Sequence, residues 1–237
     1  MKFQQLMNVK NNPIEGLPPD IEKSIGEVPR NFRMIVWGSS GNGKTNFVVK
    51  LVDALVGKGR ILYLSLEEGL DVSFQNSIKR NASKDWTAID FVDHTEDYQK
   101  LVSRLKRRRS AEFVIVDSLQ YFNITIDQYK QICRKFPDKA FVFISHADGK
   151  NPKGSVGDYI RYDAGVKVYV SGHVAFATSR YGGNNPYVVW EEGARRFWGD
   201  KYEKTTKGLA AKPKKAPAKQ KPKPQADEKI PFDQPQL

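Results

Sequence analysis

Apolar residues along this chain come in short bursts, separated by stretches in which the hydrophobic positions recur at helical spacing. The runs at 33–38 (RMIVWG), 61–66 (ILYLSL), 88–93 (AIDFVD), 112–118 (EFVIVDS) and 141–146 (FVFISH) are apolar nearly throughout. Such runs have no wet face, so each is expected as a strand covered on both sides. The stretches at 43–56, 72–80, 97–108 and 126–136 lie between them and predict helices. This βα alternation, joined by right-handed crossovers, gives an α/β sandwich: a mostly parallel sheet between two helical layers. After Asp163 the pattern changes. VKVYV, HVAFATSR, YVVWEEG and ARRFWG are divided by SG, YGGNNP and EG, which are hairpin signals and predict an antiparallel extension of the same sheet.

The ends differ from the middle. Residues 1–31 hold NNP, GLPPD and VPRN and are expected as an arm leading into the first strand of a core at 32–199, closing near Trp198. Residues 200–237 form a tail. Within it AKPKKAPAKQKPKPQ (211–225) has six lysines, four prolines and no acid, so it is expected to stay extended rather than build a core. At 237 residues the chain suits one globular domain with extensions. Its apolar runs, such as 113–116 and 140–144, are far below the roughly 18 residues that span a bilayer, and MKFQQLMNVKNNP has no apolar signal core. Cys133 is the only cysteine and can form no internal disulfide. The expectation is a cytosolic, membrane-free protein. A formal net charge of +12 points to a polyanionic partner. Five of those charges come from ten lysines against five acids after residue 199, so seven remain on the rest.

The densest chemical signal is GSSGNGKT at 38–45: Gly38, Ser39, Ser40, Gly41, Asn42, Gly43, Lys44 and Thr45. It lies between an expected strand and helix, where a P-loop belongs. Glycines let successive backbone N–H groups face phosphates, and the following helix N-terminus adds its dipole. Lys44 can reach the β- and γ-phosphates of ATP, and the Thr45 hydroxyl can bind Mg²⁺. A dinucleotide fingerprint fits worse, because the last glycine of the register starting at Gly41 is Asn46. Asp117 ends the run FVIVD at the same sheet edge, where a carboxylate can hold Mg²⁺ through its water shell. No acid follows it. The water-activating carboxylate is therefore sought at the end of the second strand, in LSLEEG, where Glu67 is the candidate and Glu68 the alternative, with a first-turn helix acid as the plainer role for Glu68.

GSSGNGKT, ILYLSLEE, FVIVDSLQ and FVFISH, in this order and spacing, resemble the RecA-type ATPase core of recombinases, RadA-like repair proteins and replicative hexameric helicases. The resemblance covers about 33–198. It implies that Glu67 is the catalytic carboxylate, that His146 at the next strand end senses the γ-phosphate, and that neighbouring subunits of a ring or filament share ATP sites. TSRYGG at 178–183 resembles the Lys-x-Arg-aromatic-Gly element that reaches the adjacent subunit's γ-phosphate; Arg180 matches its arginine, and Thr178 stands in the lysine position. The segment 147–161, ADGKNPKGSVGDYIR, corresponds to the loop that binds single-stranded DNA and offers Lys150, Lys153 and Arg161, with Tyr159 for stacking. The run Arg104, Lys106, Arg107, Arg108 and Arg109 offers a second place for phosphates, but its cations also complement a helix dipole, and a solvated helix end is the preferred reading.

One cysteine excludes a thiolate zinc module, and no NK pair offers a guanine-reading motif. The pattern is that of a stand-alone RecA core, similar to the short recombination ATPases of phages and mobile elements that assist strand annealing or exchange. Two other classes remain open: a ring-forming helicase or translocase motor, and a signalling or assembly ATPase that binds protein instead of DNA. In the tail, Lys212, Lys214, Lys215, Lys219, Lys221 and Lys223 are expected to add salt-sensitive affinity for phosphates, and Ile230, Pro231 and Phe232 are similar in character to the tips with which single-strand-binding proteins recruit partners.

Overall fold

The computed structural model describes residues 2–3 and 12–207. The lysine-rich tail segment, its apolar cluster and most of the first eleven residues lie outside them. In chain order the described elements are α1 (Pro19–Ile25), β1 (Arg33–Gly38), α2 (Lys44–Leu55), β2 (Ile61–Ser65), α3 (Val72–Asn81), β3 (Ile89–Val92), α4 (Tyr98–Leu105), β4 (Phe113–Asp117) and α5 (Leu119–Phe122). They continue as α6 (Ile126–Lys135), β5 (Ala140–Asp148), β6 (Asn151–Pro152), α7 (Gly154–Asp163), β7 (Val166–Ser171), β8 (Val174–Ser179), β9 (Tyr187–Val188), α8 (Glu191–Trp198) and α9 (Tyr202–Thr206).

All the strands but β6 run side by side in the order β3-β2-β4-β5-β1-β7-β8-β9, with β6 paired to the end of β5. The pairs from β3 to β7 are parallel, and β7–β8 and β8–β9 are antiparallel. The mostly parallel sheet with an antiparallel extension is thus the architecture the hydrophobic pattern predicts. Burial explains why the central strands show no alternation. In β1, Met34 and Val36 face the core built with α2, while Ile35 and Trp37 face the core of α4, α6 and α7. Three helices start on a polar side-chain cap: Asp71 accepts from the Phe74 amide at 3.0 Å, Asp97 from Lys100 at 2.9 Å, and Thr125 with Gln128 forms a reciprocal capping box.

Three regions depart from the sequence pattern. The breaker-rich arm contains α1, and Ile14, Leu17, Ile21, Ile25 and Val28 are buried in the same core as α2. Pro19 sits at the helix start, where its missing N–H costs nothing. ARRFWG is not a strand but most of helix α8, held by the i,i+4 pairs Glu191–Arg195 at 2.8 Å and Glu192–Arg196 at 3.0 Å. Its buried Gly193 and Ala194, with Trp198 one turn on, have helical spacing. Packing also continues past Trp198, since Tyr202 is buried with the Arg195 guanidinium 4.2 Å from its ring centre.

One buried carboxylate fastens the sheet's far flank. Asp53 on α2 accepts from the Ser83 amide and hydroxyl at 3.1 and 2.6 Å, the Lys84 amide at 3.0 Å and the Trp86 indole at 2.9 Å. Burial alone would raise its pKa, but the four donors outweigh that and hold it below the usual value. A depressed carboxylate adds stability above its unfolded pKa and loses it as pH falls through the folded value. Asp53→Ala is expected to cost about 3 kcal/mol in denaturant unfolding at neutral pH, with the gap narrowing in acid. A loss below about 0.5 kcal/mol would show that water replaces the carboxylate at these donors.

Candidate functional site

The chemistry gathers where β1, β2, β4 and β5 end on the same edge. Gly38 closes β1 against the carbonyl of Val170, which leaves no room for a Cβ, and the loop then curls into α2 through Gly43, whose φ of 95° is left-handed. Asn42 fastens this loop to the tip of the β7–β8 hairpin. Its Oδ1 accepts from the Gly172 amide at 2.6 Å, and its carbonyl accepts from the His173 amide at 3.2 Å. Lys44 Nζ donates to the Ser39 carbonyl at 3.2 Å, across the mouth of the loop.

Lys44, Thr45, Glu67, Glu68 and Asp117 line one cleft of about 190 Å³ together with Ser40, Gly41 and Gly43. The sequence-predicted residues on three separate segments therefore converge. Asp117 is 6% exposed and accepts from the Tyr63 hydroxyl at 3.0 Å. Burial dominates its titration and the Tyr63 hydrogen bond opposes it. Glu67 and Glu68 raise it further, Lys44 pulls it back, and the balance sits at about 7. The same burial lowers the Lys44 pKa, against the pull of Glu67 and Asp117. The Asp117 carbonyl also accepts from the amides of Leu66 and Glu67, which fixes where the chain turns after β2.

At the end of β5, His146 Nε2 and Glu67 Oε2 are 2.8 Å apart, so two residues assigned to different tasks form one unit. Gln120 supports it: its side-chain oxygen accepts from the His146 amide at 3.1 Å, and its amide nitrogen donates to Ser145 Oγ at 3.0 Å and the Lys153 carbonyl at 3.2 Å. Sequence reasoning missed Gln120, as well as Ser73, Ser77, Arg80 and His173, which complete the cleft wall. Helical spacing from Asp71 would have found Ser73, Ser77 and Arg80 on α3. Nothing local marked His173, which reaches the cleft only because β7 and β8 fold over the P-loop. An adjoining hollow of about 820 Å³ shares Asn46, Arg80 and His173 and is closed by Trp190.

Other predicted residues lie elsewhere. Lys150 and Lys153 are exposed on the β5–β6 hairpin, near the cleft edge. Arg161 is near the other end of α7, bonded to Asp158 at 3.3 Å and stacked over Tyr162, so it shares no patch with them. Arg180 follows β8, which runs back toward the amino edge of the sheet, and its amide donates to the Gly165 carbonyl at 2.9 Å. It is grouped there with Arg161 and Lys167 and does not face this chain's own cleft.

Among the described residues no trio of His, Cys, Asp or Glu is placed to hold a metal ion. One hydroxyl, Thr45, and one buried carboxylate, Asp117, suit instead a hard divalent cation that keeps most of its shell as water and phosphate.

No protein-family model matches the chain. Among curated proteins, it is similar to "Protein RecA" of Fusobacterium nucleatum, 24% identical over 114 residues, and to "Protein RecA" of Streptomyces coelicolor, 25% identical over 115 residues. These alignments cover 48% and 46% of this chain and 30% of each relative's length. The similarity to RecA is thus distant and partial. Among the described residues no helix is long and apolar enough to cross a membrane.

The titration of Asp117 makes a prediction. A carboxylate whose folded pKa is raised lowers stability progressively as pH rises from its unfolded value through the folded one. In divalent-free buffer, Asp117→Asn should match the parent near about pH 4 and exceed it by a few kcal/mol at about pH 8. A variant less stable than the parent at the higher pH would show that Tyr63 and Lys44 answer the buried charge in full.

Proposed function

We propose that this protein is a RecA-like ATPase that binds ATP with Mg²⁺, hydrolyses it, and acts on single-stranded DNA in recombination, annealing or repair as a homo-oligomeric ring or filament. The observation that carries this reading is the meeting of Lys44, Thr45, Asp117 and the Glu67–His146 pair in one cleft at the sheet's carboxyl edge. The distant similarity to RecA agrees with it.

In this reading the P-loop amides and Lys44 bind the triphosphate, and the adjoining hollow beside Trp190 has room for the nucleoside. Thr45 and Asp117 would hold Mg²⁺, which when bound offsets charge on the β- and γ-phosphates. Glu67 orients the attacking water and takes its proton as the water oxygen bonds to the γ-phosphorus and the bond to the β-phosphate oxygen breaks. His146, bonded to Glu67, reports whether the γ-phosphate is present. Arg180 faces away from its own cleft and so serves the neighbour's triphosphate. Lys150 and Lys153 contact the DNA backbone beside the Gln120–His146 link.

Lys44→Ala is expected to weaken ATP binding by about 10–100-fold, while Glu67→Gln keeps binding and lowers turnover by about 100-fold or more. Equilibrium binding beside phosphate release separates the two, and normal turnover by Glu67→Gln would move the role to Glu68. Arg180→Ala should lower turnover by about 1,000-fold without weakening ATP binding. Mixing Arg180→Ala with Glu67→Gln should restore part of the activity, and absence of rescue would indicate a self-contained site. Turnover with and without single-stranded DNA tests the partner: no stimulation favours a protein-binding ATPase, and strand displacement favours a motor.

A further inference from the structure

At the amino edge of the sheet, remote from the cleft, the end of α4 runs into four consecutive exposed cations, Lys106, Arg107, Arg108 and Arg109. Among the described residues no acid pairs with any of them. The helix dipole accounts for Lys106 at the C-cap, but its influence fades within the last turn and does not explain the three arginines beyond it.

The turn is a built structure. Arg107 and Ser110 close it with amide bonds to the Arg104 and Arg107 carbonyls at 3.1 and 3.2 Å, and Ser110 Oγ donates to the Leu105 carbonyl at 2.7 Å. Underneath, the 7%-exposed Lys139 donates to Ser110 Oγ at 3.0 Å and to the Ala111 carbonyl at 2.6 Å, so yet another cation supports the turn from within. Arg109 takes a φ of 60°, a left-handed conformation that a long side chain enters only under constraint. The fold also brings the end of α6 alongside, close enough for the charge of Lys106 to lower the pKa of Lys135. Two like charges held together at an exposed surface repel, and an anion between them relieves that repulsion.

We propose that this turn, with the adjacent end of α6, binds the phosphate backbone of double-stranded nucleic acid, at a surface separate from both the nucleotide cleft and the Lys150–Lys153 hairpin. Single strands are typically held by stacking bases on aromatic rings. Here the exposed large apolar residues among those described are Phe3, Leu70, Val72, Tyr121, Tyr162, Trp190 and Phe197, none of them in the turn or at the end of α6. With no ring to stack a base, recognition rests on backbone charge, which a duplex presents most densely. The same absence of apolar side chains disfavours a membrane surface, where basic segments anchor through inserted rings or aliphatic chains.

The test uses the full chain and titrates a short labelled duplex, the matching single strand and anionic phospholipid vesicles over a series of salt concentrations. Arg107→Ala/Arg108→Ala is expected to weaken duplex binding by at least about 10-fold at low salt and to reduce the slope of log affinity against log salt by about 2. Lys106→Ala/Lys135→Ala, on a different pair of helix ends, should act in the same direction. ATP turnover without nucleic acid and the melting temperature should not change. Unchanged duplex affinity and slope in both variants would overturn the proposal, as would a loss confined to single strand or to vesicles.

Discussion

Burying a carboxylate is unfavourable unless its charge is answered, and Asp117 is buried at the end of β4, in the interior of the sheet. The elements around it meet that cost only in part: β2 supplies the Tyr63 hydroxyl and the P-loop the Lys44 amine. The backbone carbonyl of Asp117 accepts two amides from the chain leaving β2. That last contact fixes Glu67. Its position follows from the same strand pairing, Ser65 opposite Asp117, that places the buried acid. The buried acid and the acid that would activate water are set by one register.

A second constraint ties the P-loop to the antiparallel extension. Asn42 bonds the tip of the β7–β8 hairpin through Gly172 and His173, so the loop is held at its crest by a segment 130 residues later in the chain. β8 then descends from that tip to Arg180. Six residues of strand measure roughly 20 Å, which carries the strand from one edge of the sheet to the other. One hairpin thus joins the crest of the P-loop to the cations on the opposite edge.

Much of this was legible in the chain. The central strands are apolar on both faces and could be read without ambiguity, as could the P-loop, because its glycines, Lys44 and Thr45 are contiguous. The location of Asp117 and Glu67 at the sheet's carboxyl edge was legible because the strands of a parallel sheet all end on the same side. What was hidden depends on tertiary contacts. Gln120 is an ordinary helical glutamine until β5 brings His146 to it, and His173 is an ordinary turn residue until the hairpin folds over Asn42. Helix α8 was misread because its apolar residues are few, so the helical spacing of Ala194 and Trp198 and of its ion pairs was passed over. The arm was misread because Pro18 and Pro19, taken as breakers, start a helix.

The layout of the two edges constrains how copies of the chain could assemble. The cleft lies at the carboxyl edge and Arg180 at the amino edge, about 20 Å apart. A flat two-fold interface buries one and the same patch on both partners, and so cannot seat both edges at once. If Arg180 serves a neighbour's triphosphate, the contact must be heterologous, amino edge to carboxyl edge, and must close as a ring or continue as a filament. The basic turn at Lys106–Arg109 shares the amino edge but follows the helix that precedes β4, whereas Arg180 follows β8. Four strand spacings separate them, roughly 19 Å. The turn therefore lies off the line through which Arg180 would dock, and a phosphate backbone held there could run along the outside of such an assembly without competing for its interface.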